Sequence, residues 1–316
     1  MDKIKAVVIC GPTATGKTKL SVELCRRFSG EVVSADSMQV YKMLDIGSAK
    51  PDTAERGGVV HHMMDVIEPA ASFSVSDYCK MAAECIDGII KRGRLPFVVG
   101  GTGLYIDSLM GGIDFSPIEN DPEYRKALHE RAVREGTAPL YEELAKIDPR
   151  SAEKININDE KRIIRALEIY RVTGKTKSYF SDLSKEKESI YDPLYIGLNY
   201  LDRALMYERI RKRVDEMADA GLVDEVRALS QIDGFLSSTA SRGIGYKEVF
   251  SLLRGEETLE NTLESIKKAS TRYAKRQLTW FGRNKSIHWL YIDGDGGFDA
   301  VIRDASKLVE DYIKQR

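Results

Sequence analysis

The sequence predicts an α/β fold: a doubly wound parallel sheet carrying a P-loop, with a helical insertion domain. Three observations carry this. The segment Gly11-Pro12-Thr13-Ala14-Thr15-Gly16-Lys17-Thr18 fits the GxxxxGK[ST] pattern and stands between a short β-branched run and a helical pattern. Similar apolar runs recur along the chain with helical patterns between most of them, as α/β layers require. The alternation lapses between Phe115 and Pro193, where the periodic segments are charged and amphipathic.

Each element follows from local chemistry. The run from Ala6 to Cys10 is continuous and apolar, as expected of a strand covered on both faces. A helix over 18–28 follows the glycine-rich turn. Further buried strands are expected at Val32-Val33, at Phe97-Val98-Val99, from Tyr195 to Leu198 and from Trp289 to Ile292. Within the insertion, Asp121-Pro122, Asp148-Pro149 and Asn158-Asp159 have the chemistry of helix starts. The chain is expected to leave the sheet after Gly111-Gly112 and return near Tyr195, giving a catalytic core of 1–114 with 194–316 and an insertion of 115–193. A last helix over 298–312 places Val301, Ile302, Ala305, Leu308, Val309 and Tyr312 on one face.

A chain of 316 residues with 42% hydrophobic content can bury one large core and a smaller one. Its formal net charge of -1 hides an uneven distribution. The stretch 265–292 has no Asp or Glu but carries Lys267, Lys268, Arg272, Lys275, Arg276, Arg283 and Lys285, interleaved with Tyr273, Trp280 and Phe281. It reads either as a phosphate-contacting helix or as a core helix whose cations are merely solvated. The four cysteines, Cys10, Cys25, Cys79 and Cys85, show no CxxC pair, as expected of reduced thiols in a cytoplasmic protein. Gly11-Pro12 interrupts the first apolar run too early for a signal peptide, and no membrane segment is expected. His61-His62 followed by Asp65 lacks a completing metal-ligand set, because adjacent strand residues point to opposite sides.

The P-loop glycines let backbone N–H groups converge on phosphate oxygens at a helix N-terminus; Lys17 supplies a point charge, and the Thr18 hydroxyl suits Mg²⁺. A nucleotide hydrolase usually ends its third strand in an Asp that orders the metal. Here Phe97-Val98-Val99 runs instead into Gly100-Gly101-Thr102-Gly103, and acid is available at Asp36, after the second strand. Asp36 and Thr102 are both expected at the carboxyl edge of the sheet, beside the P-loop. Each also has a local reading, as a turn or N-cap residue.

Ser34-Ala35-Asp36-Ser37-Met38-Gln39-Val40-Tyr41 is followed by Asp45-Ile46-Gly47-Ser48-Ala49-Lys50-Pro51. With GPTATGKT these segments resemble the tRNA dimethylallyltransferases, or isopentenyl transferases. VVGGTGLY from Val98, NDEKRIIRALE from Asn158, GIGYKE from Gly243 and TRYAKRQLTWF from Thr271 extend the resemblance over almost the whole chain. It implies transfer of a dimethylallyl group from dimethylallyl diphosphate to N6 of adenosine 37 in tRNAs reading codons that begin with U, with Mg²⁺ at the diphosphate. The insertion would grip the anticodon stem-loop. No counterpart of the zinc-finger extensions of some eukaryotic relatives is found, which favours a bacterial-type member. A monomer is expected.

The resemblance also implies roles. Asp36 becomes the base for the incoming amine, Thr102 an orienting hydroxyl, and Arg213 a cation on the leaving diphosphate; by spacing alone Arg213 reads as part of a solvated helix face. Gly11 through Thr18 hold the diphosphate. RNA contacts map to Asp36, Ser37, Met38 and Gln39, to Thr102, to Arg125, to Lys161, Arg162 and Arg165, and to Arg242, Gly243, Ile244, Gly245, Tyr246 and Lys247. Gln39 is a candidate for hydrogen-bonding the edge of an extruded adenine. Lys161-Arg162 departs from the Gln-Arg pair frequent in the family, making the contact there more electrostatic. Two other readings remain: a P-loop kinase of a small metabolite with Asp36 as base, and a non-catalytic RNA-binding protein that uses the P-loop as a switch.

Overall fold

The computed structural model describes residues 3–112, 121–186 and 188–315. The chain divides into two compact units, one of Met1–Met110 with Ile190–Arg316 and the other of Gly111–Ser189.

The larger unit is built from β1 (Ile4–Cys10), α1 (Lys17–Phe28), β2 (Gly30–Ser34), the short α2 (Thr53–Arg56), β3 (His61–His62), α3 (Val75–Lys91), β4 (Leu95–Val99) and α4 (Gly103–Met110). The described strands form one six-stranded parallel sheet in the order β3-β2-β4-β1-β5-β6, completed by β5 (Tyr191–Asn199) and β6 (Ile287–Tyr291). Strand alternation splits the core in two. Val8, Val33 and Val98 face α3 and α4 through Tyr78, Ala82, Ile86 and Ile106. Val7, Ile9, Val32, Phe97 and Ile196 face α1 and the last helix through Leu20, Leu24, Val301, Ala305 and Val309. The sheet is therefore covered on both faces, which is why its strands read as unbroken apolar runs.

Two strands depart from expectation. β5 starts at Tyr191 rather than near Tyr195, because 191–194 pair with Ile4 to Val7 before β6 begins its own pairing at Tyr195. Pro193 is tolerated because this stretch is paired on one side only. β3 is a two-residue edge strand opposite Val32 and Val33, too short to leave a periodic signal.

The smaller unit holds α5 (Pro122–Glu135), α6 (Ala138–Ile147), α7 (Pro149–Ala152), α8 (Glu160–Thr173) and α9 (Lys177–Glu186). Asp121, Asp148 and Asp159 cap α5, α7 and α8 by accepting the N–H of Tyr124, Ser151 and Arg162. Leu128, Leu140, Leu144, Ile163 and Leu167 form its core. Residues 113–120, where the insertion is expected to leave the sheet, lie outside the described residues.

After β5 the larger unit adds α10 (Arg203–Asp219), α11 (Leu222–Ser230), α12 (Tyr246–Leu253) and α13 (Leu259–Phe281), and after β6 it closes with α14 (Gly297–Lys314). Val214, Val226, Leu229, Val249 and Ile266 join Val40, Tyr41 and Leu44 in a separate apolar cluster, which ties this helical layer to the segment after β2.

Candidate active site

The P-loop wraps the carboxyl end of β1 and opens into α1. Lys17 Nζ donates to the carbonyls of Gly11 and Pro12 at 3.1 and 2.7 Å, so it is turned onto the loop itself. Burial pushes its pKa down from 10.5 to about 8; the Arg213 guanidinium adds to the fall and Asp36 opposes it. In the free protein Lys17 is charged below about 8 and neutral above. A diphosphate favours the charged form, so its affinity is expected to fall as pH rises through this value, with uptake of a proton on binding. Calorimetric titration with inorganic diphosphate in buffers of different ionisation enthalpy checks this; uptake unchanged across that pH would remove Lys17 as the titrating group. For folding, the sign is opposite. A lysine held below its ordinary 10.5 costs stability below about 8, and the cost fades as pH rises toward 10.5.

Asp36 leaves the end of β2 in a turn of its own making. Its Oδ1 accepts the N–H of Met38 at 2.9 Å and of Gln39 at 3.3 Å. Thr102, after β4, does not use its hydroxyl to cap α4. Its Oγ1 accepts the Ser37 N–H at 3.1 Å and lies 3.4 Å from the Ser37 hydroxyl, so β2 and β4 present Asp36 and Thr102 as one constellation.

Helix α10 brings Arg213, whose Nη1 donates to Thr13 Oγ1 at 3.2 Å and Nη2 to the Ala49 carbonyl at 3.5 Å. Burial lowers its pKa, against the attraction of Asp36 and Glu55. A guanidinium turned toward a phosphate loop, with neutral oxygens as its hydrogen-bond partners, is prepared for an anionic ligand.

Helix α13 supplies two side chains that were not among the expected site residues. Gln277 is buried, accepting the Thr13 N–H at 3.0 Å and donating to the Gly101 carbonyl at 3.0 Å, which pins the P-loop to the loop after β4. Tyr273 lines the site beside Asp36 and Arg213, and burial pushes its phenol up to about 12, so it stays a neutral hydroxyl. The helix approaches so closely that a Cβ on Gly101 would sit 2.1 Å from Gln277 Nε2 and one on Gly103 2.3 Å from the Trp280 ring. Gly101 and Gly103 thus serve helix docking; the only sequence signal for Gln277 was its place in TRYAKRQLTWF.

Two adjoining cavities meet at Thr13, Ala14, Asp36, Ser48, Ala49, Arg213 and Tyr273. One, of about 570 Å³, is lined by Thr13 through Thr18 with Ser34, Gln39, Glu55 and Gln277. The other, of about 330 Å³, has an apolar wall of Ile210, Val214, Met217 and Ile266 facing Ser37, Met38, Arg242, Gly243, Ile244, Gly245, Lys247 and Arg276. Gln39 lines the first, with its amide occupied by the Ser34 hydroxyl and the carbonyls of Ser48 and Ala49. An adenine would have to displace those bonds to be read by it. Tyr246, expected among the RNA contacts, is instead fully buried: its ring lies against Gly47 and its hydroxyl donates to Glu225 at 2.8 Å.

In the smaller unit, Arg125, Lys161 and Arg165 line an open groove of about 900 Å³ with His129, Asn156 and Asn158. Arg125 Nε and Arg165 Nη1 meet the fully buried carboxylate of Glu168 at 2.7 and 2.6 Å. Burial works to raise the pKa of Glu168, and the hydrogen bonds from Arg165 and Arg125 outweigh it, leaving the carboxyl below its ordinary value. Arg162 turns to Asp159 at 3.3 Å. The sequence-derived site residues thus fall into two sets, one around the P-loop and one on this helical groove.

A metal ion fits the first set only with help. Thr18 and Asp36 offer hard oxygen donors in one cavity, but among the described residues no group of three or more His, Cys, Asp or Glu side chains is placed to hold a cation. The remaining ligands would be phosphate and water oxygens, the usual arrangement for Mg²⁺.

This geometry defines a P-loop enzyme of group transfer rather than of nucleotide hydrolysis, since β4 ends without a metal-ordering acid and the P-loop cavity opens onto an apolar wall. A family model described as IPP transferase matches residues 39–285, and one described as Isopentenyl transferase matches 4–65. The chain belongs to the IPP transferase family. It is 49% identical over 291 residues to a tRNA dimethylallyltransferase of Caldanaerobacter subterraneus, covering 92% of each chain, and 45% identical over 305 residues to one of Carboxydothermus hydrogenoformans, covering 96% of each. Among solved structures it resembles the full-length tRNA isopentenylpyrophosphate transferase of Bacillus halodurans, with TM-score 0.73 and 42% identity over 98% of this chain and 96% of that one. It also resembles a eukaryotic dimethylallyltransferase acting on tRNA, with TM-score 0.84 and 29% identity over 99% of this chain and 80% of that one. Of the three readings left by the sequence, the family selects the transferase.

Proposed function

We infer that this protein transfers a dimethylallyl group from dimethylallyl diphosphate to N6 of adenosine 37 of tRNA, releasing diphosphate. The observation that carries this reading is the junction of the two cavities, where a phosphate cradle, a carboxylate and an apolar wall share one boundary. The diphosphate belongs in the P-loop and the five-carbon tail against Ile210, Val214, Met217 and Ile266. The acceptor base enters past Arg242 and Lys247 to meet Asp36.

In the reaction the allylic C–O bond breaks with its electron pair passing to the diphosphate, while the N6 lone pair forms the new C–N bond. Lys17 and Arg213 stabilise the departing charge. Mg²⁺, held by Thr18 when bound, supplies further neutralisation of the diphosphate. Asp36 accepts the proton that N6 loses; its Oδ1 is engaged by the turn, which directs Oδ2 to this task. Thr102, steadied by Ser37, orients the reacting atoms. Arg125, Lys161, Arg162 and Arg165 of the helical unit take the phosphates of the anticodon stem-loop. No helix among the described residues is long and apolar enough to cross a membrane. On this reading a monomeric enzyme meets, in the cytoplasm, tRNA that reads codons beginning with U.

Incubation with Mg²⁺, dimethylallyl diphosphate and an unmodified anticodon stem-loop is expected to give N6-dimethylallyladenosine at position 37, detected by nucleoside mass spectrometry. ATP turnover without RNA alkylation would overturn the reading.

A further inference from the structure

We propose that Glu225, on α11 and outside both cavities, is a positioning residue that sets Arg213 for the reaction. The proposal rests on the transferase reading above. Three successive backbone N–H groups, of Asp45, Ile46 and Gly47, converge on this one carboxylate at 3.1, 2.7 and 3.0 Å. Its Oε1 takes a fourth donor, the Tyr246 hydroxyl, at 2.8 Å. Consecutive N–H groups aimed at a common point form an anion-binding nest, and here the anion is a side chain of the same protein.

The consequence travels a short way along the chain. Gly47 lies against the Tyr246 ring, where a Cβ would approach to 2.6 Å, so loop and helix dock without slack. The next turn closes with Ala49 N–H on the Ile46 carbonyl at 2.9 Å and Lys50 N–H on the Asp45 carbonyl at 2.9 Å, and Ala49 takes a positive φ of 49°. The Ala49 carbonyl is the second contact of Arg213 and also receives Gln39 Nε2 at 3.3 Å. Lys50, almost fully buried, anchors the far end to Asp45 at 2.6 Å, Asp65 at 2.5 Å and the Tyr41 carbonyl at 2.9 Å. Glu225 therefore fixes the carbonyl against which Arg213 leans, and two separate segments, DIGSAKP and GIGYKE, meet on it. An amide in its place offers one acceptor oxygen where the carboxylate offers two, leaving N–H donors unpaired and the turn to Ala49 loose.

The test is a double-mutant cycle read as single-turnover rate of dimethylallyl transfer. Glu225→Gln is expected to slow the step about tenfold in the wild-type background, the scale of a lost hydrogen bond to a charged group. In an Arg213→Gln background the same change is expected to slow it less than about twofold, because the group it positions is gone. Equal factors in both backgrounds, or no effect in the first, would overturn the proposal, since a merely structural role multiplies through either background. If Glu225→Gln does not fold, Tyr246→Phe removes one of the four donors and carries the same cycle with a smaller factor. A wild-type protein that alkylates no RNA would sink the transferase reading instead, so the two failures are distinguishable.

Discussion

Replacing Asp36 by Asn is expected to lower kcat for dimethylallyl transfer by ~10²–10⁴, the scale on which a general base contributes, with tRNA affinity little changed. Asn is the informative substitution because Asp36 does two things. Its Oδ1 builds the turn that carries Ser37, Met38 and Gln39, and an Asn carbonyl accepts the same two N–H groups. Only the proton acceptor is lost. Asp36→Ala removes the turn as well, at a cost of about 1 kcal/mol for each backbone hydrogen bond, and tRNA affinity is then expected to fall together with kcat. Rapid-quench turnover and binding of an anticodon stem-loop separate the two. An Asn variant with wild-type turnover would leave Asp36 the turn alone.

Replacing Arg213 by Gln is expected to lower kcat by ~10²–10³, comparable to the loss of one group that stabilises developing negative charge. Glutamine retains a donor for Thr13 Oγ1 but not the cation. The effect is expected in kcat more than in the KM for the donor. Arg213 meets its charge most fully when the diphosphate leaves, and Lys17 remains to bind the ground state. A change confined to KM would make Arg213 a binding residue and would also dissolve the route from Glu225 to the reaction.

Legibility in the sequence followed locality. The P-loop, the strand before it and the caps at Asp121, Asp148 and Asp159 could be read because spacing of a few residues decides them. Asp36 could be placed at the carboxyl edge because it directly follows a buried run. The role of Gln277 could not be read: its two partners lie 264 and 176 residues away in the chain, and nothing in QLTWF marks an amide as a clasp. Tyr246 misled for the same reason. In a motif beside Arg242 and Lys247 it looked available to RNA, whereas packing against Gly47 removes it from the surface.

The sequence by itself determined that this is a parallel α/β protein with a P-loop at Gly11 to Thr18, because backbone conformation, strand burial and helix start are encoded in neighbouring residues. Only the tertiary structure decided what surrounds that loop. The apolar wall of α10 and α13, the clasp of Gln277 and the seat of Arg213 arise where distant segments pack, and side-chain direction across such contacts is set by the shape of both partners.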